Sequence, residues 1–337
     1  MTKQTYRFIG TILLTASLLS LGGCSKEEAS KYLESAADQA VSAAWDYAKE
    51  AVKGQLNDKT NPEIQSSSGT LNVHFIDVGQ GDSILIQDGT HFMLVDAGEN
   101  DQGDTVVNYL KEQGVTSLDY VIGTHPHSDH IGGLDDVLET FPAKTVIMPP
   151  VEHTTATFED VLDAVAGQGL KITKPVPGDT YDLGQSQFTV LGPVGDYADE
   201  LNDWSVGIRL TDGNHSFVMC GDAETEAEED MARSGLNLSA DVLKSGHHGS
   251  RTSSSPEFLE AVSPSWAVIS CGKGNSYGHP HEETLKKYAE HRIQVLRTDE
   301  KGTIIASSSP EGLTWTYTKK IKHYRNAIGG IFYDLHC

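Results

Sequence analysis

The sequence is poor in cysteine, with four in 337 residues and no Cys-x-x-Cys pair among them. A chain of this length can bury a sizeable core without disulfides, so the sequence does not describe a disulfide scaffold. Structural zinc sites are usually closed and rich in cysteine, so the missing pair also argues against one. A bridge between Cys220 and Cys271 is conceivable in an oxidising compartment, although nothing in the sequence establishes it.

Positive charge is also scarce. The chain has 25 Lys and Arg residues against 48 Asp and Glu residues, for a formal net charge of −23. Tight non-specific binding of nucleic acid needs many Lys and Arg residues to displace counterions, so this composition argues against a broad electrostatic footprint for nucleic acid. A local basic groove is still compatible with the sequence. The one obvious basic cluster, "KKIKHYR" in the tail at residues 319–337, is interpreted as a solvated terminus.

No apolar run reaches the length of a comfortable transmembrane helix, which is about 20 residues. The run from Phe8 to Leu21 has 14 residues, follows Lys3 and Arg7, and is typical of the core of a secretion signal. It ends in "LGGC", which resembles the lipobox of bacterial lipoproteins. That resemblance implies that residues 1–23 are a signal peptide and that lipid on Cys24 anchors an extracytoplasmic protein in the membrane. The alternative is a retained anchor helix.

The rest of the chain divides into three regions. Residues 24–68 combine an amphipathic helical pattern with a polar linker, which predicts a stalk; a partner-binding helix is the alternative. From residue 69 to 318, short β-rich runs alternate with helical segments, and strands outnumber helices. This pattern predicts a mixed α/β (α+β) domain, and two sheets covered by helices is one packing consistent with it. Helices are expected at 132–139, 157–166, 224–234, 256–262 and 282–290.

Polar side chains follow four of the predicted apolar strands. The strand "HFMLV" ends at Asp96, "SFVMC" leads to Asp222, and "DVLK" leads to His247 and His248. The fourth strand runs into "GTHPHSDHIGG", whose two final glycines permit close approach of the backbone. Side chains at strand ends are held by a rigid scaffold, and a solvated loop would not need the same placement four times.

These residue types are ligands for divalent metals of intermediate hardness. His125 and His127 could share one ion, while Asp129 and His130 serve a second. Asp222 would then bridge the two ions, and His248 would complete the set. Two ions about 4 Å apart activate a shared water and stabilise both oxygens of a displacement. The sequence therefore predicts one or two divalent ions, zinc or manganese, in an open hydrolytic site.

The spacing His125-x-His127-x-Asp129-His130 resembles the defining motif of the metallo-β-lactamase superfamily, and Asp96, Asp222 and His248 match its other site positions. Further stretches resemble the extracellular hydrolase domain of ComEC-type DNA-uptake proteins: "FIDVGQGDSILI", "CGDAE", "LKSGHHGS", "YGHP" and "RTDEKG". The resemblance covers residues 69–318. It implies a four-layer αββα sandwich and a metal-dependent nuclease that acts on DNA outside the membrane.

One position departs from the superfamily pattern. Asn202 stands where another histidine is expected, so the first metal would be weakly held, or the site would prefer a harder ion such as manganese. His153 and His215 are available but poorly placed by the pattern, and His153 is interpreted as an ordinary histidine.

Several neighbours receive individual roles. Asp129 would bind metal or orient the attacking water, and Lys244 and His247 would stabilise the transition state or protonate the leaving group. A surface salt bridge is the alternative for Lys244. Asp82 and Asp96 are expected to orient ligands rather than to catalyse. His279 would reach the cleft or, more conservatively, pack at the entry of a helix.

Three functions remain open at this point. The first is a lipid-anchored, metal-dependent phosphodiesterase, with DNA as its substrate through the family resemblance. The second keeps the hydrolase but replaces DNA by a small ester, lactone, lactam or phosphodiester, which the acidic composition favours because a polyanion is repelled at long range. The third is a surface binding protein on a degenerate hydrolase fold, for which Asn202 is the best support.

Overall fold

The computed structural model describes residues 70–319. The predicted signal peptide, the lipidation site at Cys24, the stalk and almost all of the basic tail lie outside the described residues. Within the described part, no helix is both long enough and apolar enough to cross a bilayer.

Fifteen strands form two sheets in the described part of the chain. The strands are β1 Leu71–Phe75, β2 Ser83–Asp88, β3 His91–Ala97, β4 Leu118–Ile122, β5 Ala143–Ile147, β6 Ile172–Thr173, β7 Thr180–Leu183, β8 Ser186–Val190, β9 Ile208–Thr211, β10 Ser216–Met219, β11 Val242–Lys244, β12 Trp266–Ile269, β13 Gln294–Arg297, β14 Ile304–Ser309 and β15 Gly312–Tyr317. The first sheet has the order β15-β14-β1-β2-β3-β4-β5-β6, and the second has the order β13-β12-β11-β10-β9-β8-β7.

The α-helices of the described residues are α1 Gly103–Glu112, α2 Ser128–Ile131, α3 Leu134–Thr140, α4 Ala156–Gly167, α5 Thr225–Arg233, α6 Pro256–Val262, α7 Glu282–Glu290 and α8 Thr298–Lys301. Short 3-10 segments lie at Asn100–Gln102, Leu201–Trp204 and Gly246–Gly249. The helix starts follow local chemistry. Thr155 caps α4 through its side chain, and Ser255 caps α6 directly before Pro256 at the first helical position.

Successive side chains of a strand face opposite sides of its sheet, and this alternation produces the layers. In β2, Ile84 and Ile86 face the second sheet, whereas Leu85 between them faces α1, α3 and α4. Successive side chains of a strand point to opposite faces, so a strand buried on both sides reads as a continuous apolar run. A third cluster packs β10, β11 and β12 against α5, α6 and α7. The layers are therefore helix, sheet, sheet, helix, which confirms the predicted αββα sandwich.

The two cysteines of this region do not form the conceivable bridge. Cys220 and Cys271 are both free and buried, in the apolar cluster between the second sheet and its helices. Burial raises the pKa of the Cys271 thiol to about 12 and raises that of Cys220 still further. Both residues therefore act as small apolar side chains in the core.

Candidate metal site

Adjacent parallel strands deliver the site residues to one edge of the sandwich. β3 and β4 are parallel neighbours in the first sheet, and β10 and β11 are parallel neighbours in the second. The carboxyl ends of parallel strands lie at the same edge, so the loops that follow them meet. This topology brings together Asp96, His125, Asp222 and His248, four residues that the sequence placed after four separate strands.

Two glycines allow the loops to approach each other this closely. Gly81 has a φ of 140°, and a Cβ added there would overlap the main-chain oxygen of Asp129. Asp129 accepts a hydrogen bond from the Asp82 amide at 3.1 Å through that same oxygen. A Cβ at Gly132 would overlap main-chain atoms of Asn100 and Ser128. The expectation of close backbone approach at Gly132 and Gly133 is confirmed, since a Cβ at Gly133 would overlap the main-chain oxygen of Ala97, and Gly81 supplies a further such position.

The Asp222 carboxylate lies between two imidazoles. Its Oδ1 is 3.2 Å from His130 Nε2, and its Oδ2 is 3.3 Å from His248 Nε2. Asp129 Oδ2 is 3.2 Å from the same His248 nitrogen and 3.9 Å from His130 Nε2. Four side chains each offer one ligand atom within 4.8 Å of the others, namely Asp82, His130, Asp222 and His248.

Hydrogen bonds to the Nδ1 atoms of His130 and His248 determine that their Nε2 atoms face the centre of the cluster. His248 Nδ1 lies 3.1 Å from the carbonyl oxygen of Ser270, which can only accept, so Nδ1 donates and Nε2 is left for a ligand. His130 Nδ1 lies 2.8 Å from Oδ2 of Asp96 in the same way. A hydrogen bond on the outer nitrogen is the usual support of a metal-ligating histidine. Asp96 therefore lies where the sequence predicted an orienting carboxylate.

The donor set fits a divalent cation. His130 Nε2 and Asp222 Oδ1 are buried without a hydrogen-bond partner, although they face each other. Burial disfavours the charged form of His130, but Asp222 and Asp129 outweigh it and hold its pKa well above its usual range. The same balance raises the pKa of His248, through Asp222 and Asp82. The cluster thus attracts positive charge. A metal cation would replace the additional protons that the raised pKa values give to His130 and His248.

His125 and His127 lie beside this cluster, with His125 Nε2 3.0 Å from His127 Nδ1. Burial, followed by the neighbouring charge of His130, lowers the pKa of His125 well below its usual range; burial also lowers that of His127. Both rings are therefore neutral near pH 7, as metal ligands must be. The His153 ring lies 6.4 Å from that of His127 and lines the same cleft, a placement that the sequence pattern did not reveal.

Asn202 lines the cleft, and its amide group contacts a carboxylate. Its Nδ2 donates to Oε1 of Glu224 at 3.2 Å, and its buried Oδ1 has no partner. Glu224 also lies 3.0 Å from His247 Nδ1. The hydrogen bond from His247 lowers the pKa of Glu224, so this carboxylate is charged and fixes the imidazole. Glu224 has no role in the sequence-based prediction, although its place two residues after Asp222 was a usable signal.

Lys244 is placed differently from either sequence-based interpretation. Its side chain is 1% exposed, and its Nζ lies 2.6 Å from Oδ2 of Asp82. Lys244 therefore sits behind the cluster and not at the cleft surface, and its salt bridge is buried rather than exposed. Burial would raise the pKa of Asp82, but Lys244 and His248 lower it to about 2. Asp82 Oδ1 lies 3.4 Å from Nδ1 of His248, where a carboxylate that orients this ring is expected.

The cluster opens into a cleft of about 410 Å³. Asp129, Asp222, His247 and His248 line its floor and wall. His279 also lines the cleft, in agreement with the first of its two sequence-based interpretations. Burial, followed by the neighbouring charge of His247, lowers the pKa of His279 to about 4. None of the described residues that line the cleft is Lys or Arg.

The layer order and this cluster define a class: four-layer α/β proteins whose metal-ligating side chains gather at one edge of two sheets. The chain belongs to the metallo-beta-lactamase superfamily, whose family model matches residues 76–273, more than half of the sequence. Members of this superfamily are generally hydrolases.

Several curated proteins are similar over the same region. ComE operon protein 3 of Bacillus subtilis is 35% identical over 259 residues, which cover 71% of this chain and 33% of that protein. Competence protein ComA of Neisseria gonorrhoeae is 32% identical over 68% of this chain and 31% of its own length. Recombination protein 2 of Haemophilus influenzae is 29% identical, with 71% and 29% covered. The chain thus spans about a third of the length of these relatives.

Among solved structures, the metallo-beta-lactamase fold protein YhfI of Bacillus subtilis is similar with a TM-score of 0.49 and 15% identity. The match covers 71% of this chain and all of that one.

Proposed function

We propose that this protein is a metal-dependent phosphodiesterase that cleaves DNA outside the cytoplasmic membrane, where lipid on Cys24 would hold it. The observation that carries the proposal is the Asp222 carboxylate held between the Nε2 atoms of His130 and His248 at the floor of an open cleft. A closed structural site would not leave such a cleft beside its ligands.

The residues present would hold one or two divalent ions, zinc or manganese. His130, His248 and Asp222 would bind one ion with Asp129, and His125 and His127 would bind a second that shares Asp222. When bound, these ions supply an activated water and stabilise negative charge on the phosphate. Asp96 and Asp82 keep the two Nε2 atoms directed at the centre.

Three further side chains would act on the substrate or on water. Asp129 is 23% exposed toward the cleft, so its carboxylate can orient an attacking water as well as bind metal. His247 Nε2 lies 3.6 Å from Oδ2 of Asp222 and is itself exposed to the cleft. With Glu224 fixing its other nitrogen, His247 is placed to give a proton to the leaving oxygen.

The choice of DNA rests on the relatives. Two of them carry the words competence and recombination in their names, and both processes concern DNA. The acidic composition favours the rival proposal of a small ester, lactone or lactam, because it repels a polyanion. A non-catalytic binding protein is a weaker rival, because the histidine and carboxylate set around Asp222 is complete apart from Asn202.

The test is cleavage of single- and double-stranded DNA by the full-length chain, purified in detergent, with manganese, zinc or a chelator. Asp222→Ala is the site variant, and Asp182→Ala, an exposed aspartate of β7 outside the cleft, is its matched control. We expect metal-dependent cutting that Asp222→Ala loses and Asp182→Ala retains. Bound metal without cutting would reject DNA and favour small esters and lactams. Failure to retain any metal would favour the binding protein.

A further inference from the structure

An exposed aromatic ring stands at the lip of the cleft. Tyr277 is 63% exposed, the most exposed of the large hydrophobic side chains in the described residues. It lies on the loop between β12 and α7 and lines the same cleft as Asp222 and His248. Tyr277 is thus an exposed aromatic ring beside the candidate metal site, at a position where it can contact a bound substrate.

The loop that carries Tyr277 is held in one conformation. Asn275 accepts hydrogen bonds from the amides of Tyr277 and His279 at 3.1 and 2.9 Å. Its Nδ2 donates to the carbonyl oxygens of Gly272 and His279 at 2.9 and 2.6 Å. The Gly272 amide donates to the side chain of Gln80 at 3.1 Å, next to the Asp82 turn. The ring is thus presented by a preorganised loop, which reduces the entropy lost on binding.

The inner face of the ring is covered, and its outer side is free. Tyr277 stacks on His279 with ring centres 5.6 Å apart and an interplanar angle of 23°. His279 in turn stacks on His248 at 6.3 Å and 29°. The three rings form a series from the metal site to solvent in which each ring is tilted by 29° or less from the next. A further flat ring would extend this series outward from Tyr277.

The cleft also lacks the usual means of holding a polyanion. No described residue of its lining is Lys or Arg, so the cleft itself offers no ion pair to phosphate, and contacts to bases are a further source of affinity. Base–aromatic stacking supplies such affinity without sequence preference, because every base has a π-face. Paired bases in a duplex have their faces covered, so only an unpaired base can stack on the outer face of Tyr277.

We propose that Tyr277 is a stacking platform for an unpaired nucleobase near the scissile phosphate, so that the enzyme prefers single-stranded DNA; this inference rests on the proposed function. The stacked base fixes the strand across the cleft, and the metal ligands then act on the phosphate.

The test compares two single-stranded oligonucleotides of equal length, one complete and one in which abasic residues replace the bases around the cleavage position. Binding is measured by fluorescence anisotropy with the full-length chain, Tyr277→Ala, Tyr277→Phe and Tyr277→Trp, and KM and kcat are measured by cleavage. Tyr317→Ala, an exposed tyrosine of β15 outside the cleft, is the matched control.

For the complete strand we expect Tyr277→Ala to raise Kd and KM about 10-fold, which equals about 1.4 kcal/mol. We expect kcat to change less than twofold, and Tyr277→Phe, Tyr277→Trp and Tyr317→Ala to bind as the unmodified chain does. On the abasic strand, Tyr277→Ala and the unmodified chain should bind equally. Equal binding of the complete strand by both, or an equal loss on both strands, would overturn the proposal.

The two proposals fail in different ways. Base-dependent binding through Tyr277 without cleavage would keep the stacking platform and reject the nuclease. Cleavage that is indifferent to Tyr277 would keep the nuclease and reject the platform. A chain that neither binds nor cuts either strand would reject both.

Discussion

Lys244→Met tests whether this lysine supports the site or takes part in the chemistry. The substitution removes the ammonium that lies 2.6 Å from Asp82 and leaves a buried carboxylate without its cation. Breaking one side of a buried ion pair typically costs about 3–5 kcal/mol. The pKa of Asp82 points in the same direction, because Lys244 and His248 lower it to about 2 against the effect of burial.

The sign of the pH dependence follows from the same pair. With Lys244 present, the lowered pKa of Asp82 contributes stability above pH 4, which is lost as the pH falls toward 2. Without Lys244, burial is opposed only by the nearby histidines, so the pKa of Asp82 rises. The folded variant then binds a proton more readily than the unfolded chain does. Its deficit in stability should therefore shrink as the pH falls from 7 toward 4.

The assay is urea unfolding of the metal-free, full-length chain, followed by tryptophan fluorescence at pH 7 and pH 5. We expect Lys244→Met to lose about 3 kcal/mol at pH 7 and Asp82→Asn/Lys244→Met to recover part of it. Lys144→Met is the matched control, because Lys144 pairs with Asp119 at an exposed position where solvent screens the pair, so this variant should lose far less stability than Lys244→Met. A Lys244→Met variant with unchanged stability and no activity would refute the buried-support interpretation and return Lys244 to the chemistry.

Three further predictions concern the surroundings of the cluster. Asp96→Asn keeps the shape of the carboxylate but weakens its hold on His130, so metal affinity measured by competition with a chelator should fall about 10- to 100-fold; unchanged affinity would show that Asp96 does not orient the ligand. Gly81→Ala should lower metal content and reduce stability by about 1–3 kcal/mol in thermal unfolding, because its Cβ would meet the Asp129 carbonyl; full metal occupancy would contradict this. Thr155→Ala removes the cap of α4 and should cost about 1 kcal/mol in urea unfolding without changing metal content; a loss of metal would mean that the helix start couples to the site.

The αββα layers, and the sheet edge at which the site residues gather, could be predicted from the sequence. Both depend on the pattern of apolar and polar residues along single strands and helices. Expected helices at 256–262 and 282–290 match α6 and α7 residue for residue, since Ser-Pro and His-Glu-Glu starts mark their first turns. The helix expected at 132–139 corresponds to α3, Leu134–Thr140, which begins two residues later because Gly133 precedes it in a non-helical conformation with φ −100° and ψ 7°. The short α2, Ser128–Ile131, was not predicted.

Other elements left no clear signal in the sequence. β14 was not predicted, because its second half reads "SSS"; these serines pair with β1 and β15 in the first sheet. The two-residue β6 and the polar β7 were missed for similar reasons. The partners of Lys244 and Glu224 also could not be read from spacing. Each depends on a contact between segments that are distant in the sequence, and sequence pattern reports only what lies on one element.

The acidic composition and a DNA substrate can be reconciled by where the positive charge lies. A net charge of −23 slows the approach of a polyanion, and no described lining residue of the cleft opposes that field with Lys or Arg. The carboxylates around His130 and His248 instead concentrate cations at one point, as the raised pKa values of both rings show. A metal-loaded site would thus attract a single phosphate at short range, and Tyr277 would add contacts to an unpaired base. Such an enzyme would bind few phosphates at a time, so its affinity for DNA should depend only weakly on salt.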